Sequence, residues 1–336
     1  MSGPGTAAAK LNDIPVVIVN YNTADLTTLA IESVLSADHG SRKIHVHVVD
    51  NASPNGDAQT LQRHIAEAGW SQHVTLYPET KNHGFGLGNN VVLERLLKHK
   101  PQPDAVFFLN PDARLANNAI AILAEFLEQH DTAVVAGARV ENTVGQPVTA
   151  AFRFHNLPYL FAHALSFGPV SRRLSGWNVP LPPDTQTRQV DWVSGAAFMA
   201  RFDRLKQTGF FDPEFFLYFE EVDLMRRAGA GAADIWHVAE ARVIHAEGAA
   251  TGVGSDARKR KRRPSYWYHS WYYYTMKHHG RAYALVAMST WMAGAAVNIA
   301  MSKLRGKLPD APLGLFGDLW AMAGRPLIGL KARPYD

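Results

Sequence analysis

Through its first 140 residues the chain alternates short apolar runs with amphipathic stretches, and that alternation leaves few folds open. Ile14 to Asn20 is a compact, Val-rich run of the kind a strand buried on both faces requires. Thr23 to Ala37 follows, with Leu26, Leu29, Ala30, Val34 and Leu35 on one helical side. Further strands are expected at Ile44–Val49, Val74–Tyr77, Ala105–Leu109 and Ala133–Val140, and further helices at Ala58–Ala68, Leu87–His99 and Asn117–Gln129. Such alternation predicts an α/β fold: a doubly wound, mostly parallel sheet with helices on both faces.

The pattern then changes. Asn156 to Gln189 carries Pro158, Pro180, Pro182 and Pro183, several aromatics and no clean period, and reads as loops and a short helix covering the sheet. Val190 to Arg201 is strand-like, Glu220 to Ala228 a short helix, and Ala241 to Ile244 a strand ending at His245. Beyond Thr251 come an unbroken basic run, Arg258 to Arg263, and a cluster of aromatics from Tyr266 to Tyr274. Ala282 to Met301 then runs twenty residues without a charge.

Twenty such residues are just enough to span a bilayer, but Ser289, Thr290 and Asn298 interrupt them. An interfacial helix fits the neighbouring aromatic and basic residues better, with a helix packed on the catalytic domain as the plainer alternative. The basic run suggests an anionic partner, against the alternative of a solvated linker. The chain has no cysteine, which excludes disulfides, zinc-thiolate sites and a cysteine nucleophile, and is compatible with a reducing compartment. The first ten residues are small and polar, so a disordered tail over 1–13 is expected and a secretory signal is not.

In open α/β sheets ligands sit beyond the carboxyl ends of the strands. Here those ends read Asn20-Tyr21-Asn22, Asp50-Asn51-Ala52-Ser53, a Gly-rich stretch from Asn82 to Asn90, and Asn110-Pro111-Asp112. Each alone is ordinary turn or capping chemistry; together they point to one polar crevice. The Gly-rich stretch, read as a loop, is neither a dinucleotide fingerprint nor a P-loop: it follows the third strand and lacks Gly-Lys-Ser/Thr. Three carboxylates, Glu220, Glu221 and Asp223, follow a dense aromatic run. Carboxylates against aromatic walls have raised pKa values, which suits a general base. Acids in a helix's first turn also have a structural explanation, most directly for Asp223. His245 at a strand end, with Asp112 available, is a candidate metal ligand.

The ordered blocks VVIVNYN (16–22), VVDNAS (48–53), NHGFGLGNN (82–90), FLNPD (108–112), SGAAFM (194–199), FFLYFEEVDL (215–224) and VIH (243–245) resemble glycosyltransferase family 2. More narrowly they resemble its bacterial rhamnosyltransferase-like branch, which builds surface polysaccharides. The resemblance covers roughly Ile14 to Gly254 and implies a GT-A fold. It implies a nucleotide-sugar site at Asn20, Tyr21, Asn22, Asp50, Asn51, Asn82, Gly84, Asn90 and Asn110. It also implies Mg²⁺ or Mn²⁺ at Asp112, with His245 as a second ligand, since the usual Asp-x-Asp here reads Asn110-Pro111-Asp112. The catalytic base falls at Glu221, with Glu220 open as the alternative, and the acceptor region includes Trp192, Gly195 and Tyr218.

The resulting expectation is an inverting, metal-dependent transferase occupying 14–255, followed by a helical membrane-associating region over 256–336. Its donor would be dTDP-L-rhamnose, with UDP- or GDP-sugars next, and its acceptor a lipid-diphosphate-linked saccharide. It would be peripheral, on an anionic membrane at the cytoplasmic face, with oligomeric state open. A nucleotidyltransferase would need a phosphate-binding loop where Asn20-Tyr21-Asn22 stands. A nucleic-acid-binding protein would use the basic run and aromatics for phosphate contacts and stacking, but a single basic block beside an uncharged stretch fits a membrane better, so no nucleic acid is expected. A lectin-like dead relative would not need Asp112, Glu221 and His245.

Overall fold

The computed structural model describes residues 10–246 and 261–335. Residues 1–9, most of the expected tail, and Arg258, Lys259 and Arg260 of the basic run lie outside the described residues. In chain order the elements are β1 (Asp13–Asn20), α1 (Ala24–Leu35), β2 (Lys43–Asp50), α2 (Asp57–Glu67), β3 (Val74–Pro78), α3 (Gly84–Lys98), β4 (Ala105–Leu109), β5 (Ala113–Leu115), α4 (Ala119–Gln129) and β6 (Ala133–Glu141). There follow β7 (Pro147–Val148), β8 (Ala151–Phe152), α5 (Leu157–Leu165), α6 (Gly168–Arg173), β9 (Arg188–Val190), β10 (Trp192–Val193), β11 (Ala197–Arg201), α7 (Phe202–Thr208), α8 (Glu220–Ala228) and β12 (Asp234–His245). The last are α9 (Ser265–Leu304), α10 (Leu315–Leu319) and α11 (Arg325–Leu327). Ordered chain begins before Ile14: Leu11 is buried, and its N–H donates to Glu128 Oε1 at 2.8 Å.

The main sheet runs β3-β2-β1-β4-β11-β6-β12-β5, with β7 added to β6 and β9 to β12. Neighbours among β1 to β4 are parallel, as are β6 and β12, but β11 runs antiparallel between β4 and β6. The sheet is therefore mixed, though mostly parallel. Alternate residues of β1 serve opposite faces. Val16 and Ile18 join a core with Ile31 and Val34 of α1, Leu61 of α2 and Leu123 of α4. Val19 faces α3 on the other side, where Phe108 also stacks on Phe198 at 4.6 Å. Burial on both faces is why this strand reads as an uninterrupted apolar run.

Two local expectations are corrected. The Gly-rich stretch is not a loop, because α3 already begins at Gly84. A Cβ on Gly88 would stand 2.8 Å from Val19 Cγ1, so this glycine lets the helix lie directly on β1. Val190 to Arg201 is three strands rather than one; β10 leaves the main sheet and pairs with β8.

The described residues fall into two compact units. The first draws on Met1–Phe152, Pro180–Pro213 and Glu221–Ser255 and holds the sheet; the second draws on Arg153–Val179, Glu214–Glu220 and Asp256–Asp336. Helices α5 and α6 belong to the second unit, and Asn156–Gln189 holds two helices rather than the one short helix expected. Helix α9 changes direction at Gly280, whose φ of 78° and ψ of 176° are not helical. Its charge-free half presses on α5: a Cβ on Gly294 would stand 2.9 Å from Ala164 Cβ, and Asn298 Nδ2 donates to Leu165 O at 3.1 Å. Its other side, including Leu285, Val286, Ala293, Val297 and Leu304, is exposed. At 3.6 residues per turn these occupy a single arc of about 120°.

Candidate active site

Parallel register sets Asn20 and Asp50 side by side at the ends of β1 and β2. Asn20 Nδ2 donates to Asp50 Oδ1 at 2.7 Å and to Asp57 Oδ2 at 3.0 Å; its Oδ1 accepts from Thr23 Oγ1 at 3.0 Å and Thr27 Oγ1 at 2.8 Å. Ser53 Oγ donates to Asp50 Oδ1 at 2.6 Å. Asp57, absent from the sequence-derived set, also accepts the N–H of Ala24 at 3.0 Å and so ties α2 to the start of α1. Its signal was present in the sequence as an acid in a helix's first turn. Asn22 adopts φ 61° and accepts from Asn55 Nδ2, while Tyr21 is exposed beside it.

The next polar group is equally self-contained. Asn51 Nδ2 donates to Asn82 Oδ1 at 3.0 Å and Gly84 O at 2.9 Å, and Asn51 Oδ1 accepts from His83 N at 3.0 Å. Asn90 is turned away from this group: its amide donates to Phe211 O at 2.8 Å and accepts from Phe211 N at 3.1 Å. Asn90 thus fixes the segment leading to α8, a positioning task rather than a surface contact.

Strand β5 pairs antiparallel with β12, setting Ala113 against His245. That register brings Asp112 Oδ1 to 2.9 Å from His245 Nε2, with the Asn110 amide 3.4 Å from the same nitrogen. Ala246 N donates to Asp112 O at 3.0 Å and locks the crossing. One carboxylate, one imidazole and one amide fit a divalent ion that accepts mixed oxygen and nitrogen ligands. Among the described residues no group of three His, Cys, Asp or Glu side chains could hold a metal.

Three acids stand together in the sequence of α8, and the structure separates them. Asp223 is fully buried and pairs with Arg227 at 2.8 Å; Arg227 also donates to Thr208 O and Phe210 O. Glu220 is buried and grouped with the second unit, as is Tyr218, which stacks on Tyr266 at 6.2 Å. Glu221 belongs to the first unit and keeps partial exposure, but its Oε2 is sealed from solvent and takes no hydrogen bond. Burial pushes its carboxyl well above the usual range, to about 7, against the opposing pull of the Glu221 and Val222 backbone N–H groups. Gly195 lies beside it: a Cβ there would be 4.0 Å from Glu221 Cγ and 3.8 Å from the Phe85 ring. Trp192 is stacked on Phe152 at 3.9 Å, so its ring face serves packing.

The glycosyl transferase family 2 model matches residues 16–222. The N-acetylglucosaminyl-diphospho-decaprenol L-rhamnosyltransferase of Mycobacterium tuberculosis is 27% identical over 249 residues, which cover 71% of this chain and 78% of that protein. Rhamnosyltransferase WbbL of Escherichia coli K12 is 25% identical over 168 residues, covering 48% of this chain and 61% of that protein. The mannosyltransferase PcManGT from Pyrobaculum calidifontis, solved with GDP-Man and Mn²⁺, aligns with a TM-score of 0.53 at 16% identity, covering 94% of this chain and 81% of that one. S. aureus TarS 1-349 with UDP aligns equally well, at 0.53 and 15% identity, covering 95% and 83%. These two likenesses are of fold, the GT-A arrangement. With well over half its length matched to the family model, the chain belongs to glycosyl transferase family 2.

Proposed function

We propose that this glycosyltransferase moves L-rhamnose from dTDP-L-rhamnose to a hydroxyl of a lipid-diphosphate-linked saccharide, with inversion. The observation that carries the reading is the state of Glu221. Asp50, Asp57, Asp112 and Asp223 are each engaged by neighbours, whereas among the described residues one sealed oxygen of Glu221 takes no hydrogen bond. One oxygen of Glu220 is in the same condition, but Glu221 is the one in the unit that holds the sheet, and burial holds its carboxyl up at about 7. A carboxyl held near neutrality is suited to take a proton. Glu221 accepts the proton of the acceptor hydroxyl as that oxygen bonds to the anomeric carbon. The bond to the diphosphate breaks on the opposite side, and the nucleoside diphosphate leaves with the electron pair. The polar ends of β1 and β2 hold the nucleoside, and Asp112 with His245 would hold a divalent cation, Mn²⁺ or Mg²⁺. When bound, such a cation neutralises the charge developing on the leaving diphosphate.

The acceptor chemistry follows the activity for which the mycobacterial relative is named, whose substrate is N-acetylglucosaminyl-diphospho-decaprenol. The donor follows the two rhamnosyltransferase relatives. We assign the exposed side of α9 to a membrane surface at the cytoplasmic face, with the protein peripheral. Residues 261–335 hold eleven Lys and Arg against two Asp, and no charge interrupts α9 from Ala282 to Met301. Lys303, Arg305 and Lys307 follow at its end, beside exposed Leu304 and Leu308.

The test is a transfer assay with a prenyl-diphosphate-linked N-acetylglucosamine, dTDP-L-rhamnose, UDP- and GDP-sugars, and Mn²⁺ or Mg²⁺. Acceptor-dependent release of dTDP with an inverted linkage is expected, lost in Asp112→Asn and His245→Ala. Transfer only from a UDP- or GDP-sugar would overturn the donor, and a retained configuration would overturn the mechanism.

A further inference from the structure

Of the basic run, Arg262 and Arg263 meet different surroundings within the second unit. Arg262 is neutralised: its Nε donates to the buried Asp318 at 2.8 Å, and its guanidinium lies over Tyr335. Arg263 has no such partner. Its guanidinium lies over Trp267 at 3.9 Å and within 5.6 Å of Trp291, and the groups bearing on its charge are the phenols of Tyr268, Tyr218 and Tyr159. Among the described residues no carboxylate pairs with it. Aromatic faces attract a cation by about 0.5–2 kcal/mol, but they supply no lone pair to its five N–H donors. A partly buried guanidinium without an acid is therefore incompletely compensated.

A second group nearby is in the same condition. The Tyr268 hydroxyl is fully buried and among the described residues has no hydrogen-bond partner, and burial holds its pKa up at about 12, so it stays a neutral donor. Helix α9 starts two residues after Arg263 with no acid in its first turn, so the positive end of its dipole adds to the charge of Arg263. Cation, hydroxyl and helix end all call for one thing, an anion with several acceptor oxygens. The Trp267 and Trp291 rings, 5.7 Å apart and steeply inclined, give the same place apolar walls. A phosphoryl group carried on a hydrocarbon chain matches both halves.

We propose that Arg263 and Tyr268, walled by Trp267 and Trp291, form a binding site in the second unit for the diphosphate and first prenyl units of the lipid-linked acceptor. The identity of the lipid rests on the proposed function; the phosphoryl-plus-prenyl chemistry rests on these residues alone.

The test is a binding titration that needs no turnover. Farnesyl diphosphate is added to the full chain with dTDP and Mn²⁺ saturating the nucleotide site, and tryptophan fluorescence and calorimetry are read. Arg263→Gln is expected to weaken binding by about 10–100-fold, Arg263→Lys less, and Tyr268→Phe by about 3–10-fold. Because an orphaned hydroxyl is a cost to folding, Tyr268→Phe should melt at or above the native temperature while binding worse, a combination that simple misfolding does not produce. Farnesol and inorganic pyrophosphate, each carrying half the chemistry, should bind more weakly than the diphosphate. Equal affinity in native protein and Arg263→Gln overturns the site, as does absence of binding to the native protein. If Arg263→Gln lowers only binding to phosphatidylglycerol vesicles, the site takes a headgroup and the acceptor assignment fails. Failure of the transfer assay with this titration intact would count against the proposed function alone.

Discussion

At the scale of single residues, Glu221 makes the sharpest forecast. Its carboxyl is protonated below about 7 and unable to accept a proton there. kcat/KM should therefore fall about ten-fold per pH unit on the acid side of that value, and a pH profile flat from 5 to 8 would exclude Glu221 as the base. Glu221→Gln should lower kcat by roughly 10²–10⁴ with little change in donor KM. Stability should move the other way. A folded-state pKa above the ordinary 4.5 favours the protonated form, so its stabilising contribution is complete below 4.5 and is lost as pH rises through about 7. At pH 8 the neutral isostere should melt no lower than the native protein. Sequence adjacency alone leaves Glu220, Glu221 and Asp223 nearly equivalent. They differ only once Arg227 takes Asp223 and the fold sets Glu220 in the other unit.

Elements explain why some of this was legible in the chain and some was not. Strands β1 and β4 announced themselves because burial on both faces demands consecutive apolar residues, whereas β2 alternates His with Val and the edge strand β3 buries only Val74. Strands β5 and β7 to β10 have two or three residues each, too few to show any period, yet β5 is what brings Asp112 to His245. The Gly-rich stretch was open to misreading because glycines that admit a ligand and glycines that admit a neighbouring strand look alike in sequence. Gly88→Ala separates these uses. An alanine gains about 1 kcal/mol of helix propensity but forces a Cβ to 2.8 Å from Val19, and overpacking costs about 1–3 kcal/mol. A net loss in urea unfolding is expected for Gly88→Ala and none for Gly195→Ala, whose Cβ would sit at an ordinary 3.8 Å from Phe85. Equal stability of the two variants would mean that α3 shifts freely on β1. The aromatic first half of α9 has no apolar period, so the helix was visible only in its charge-free half.

The whole molecule carries +4 formal charge, yet residues 261–335 alone carry a surplus of nine Lys and Arg over Asp. The rest is therefore net acidic, and an anionic surface would attract the chain by one end. Each basic residue near such a surface contributes about 1 kcal/mol. Replacing Lys303, Arg305 and Lys307 together by Gln should weaken sedimentation with phosphatidylglycerol vesicles by roughly 100-fold at low salt. Raised salt should erase most of that difference, while Val286→Glu should impair binding at any salt. Vesicle binding indifferent to all four substitutions would remove α9 from the membrane.

The pairing of Asp112 with His245 has a consequence in time. The two residues are 133 positions apart, and they meet only when β12 is laid beside β5. At ~5–20 residues per second, a ribosome needs on the order of ten seconds to make the intervening chain. Throughout that interval the nascent protein already possesses β1 to β4, with Asn20 and Asp50, but lacks His245. Synthesis thus withholds one half of the pair until the sheet is otherwise written, and a chain released early would be an unfinished enzyme rather than an unregulated one.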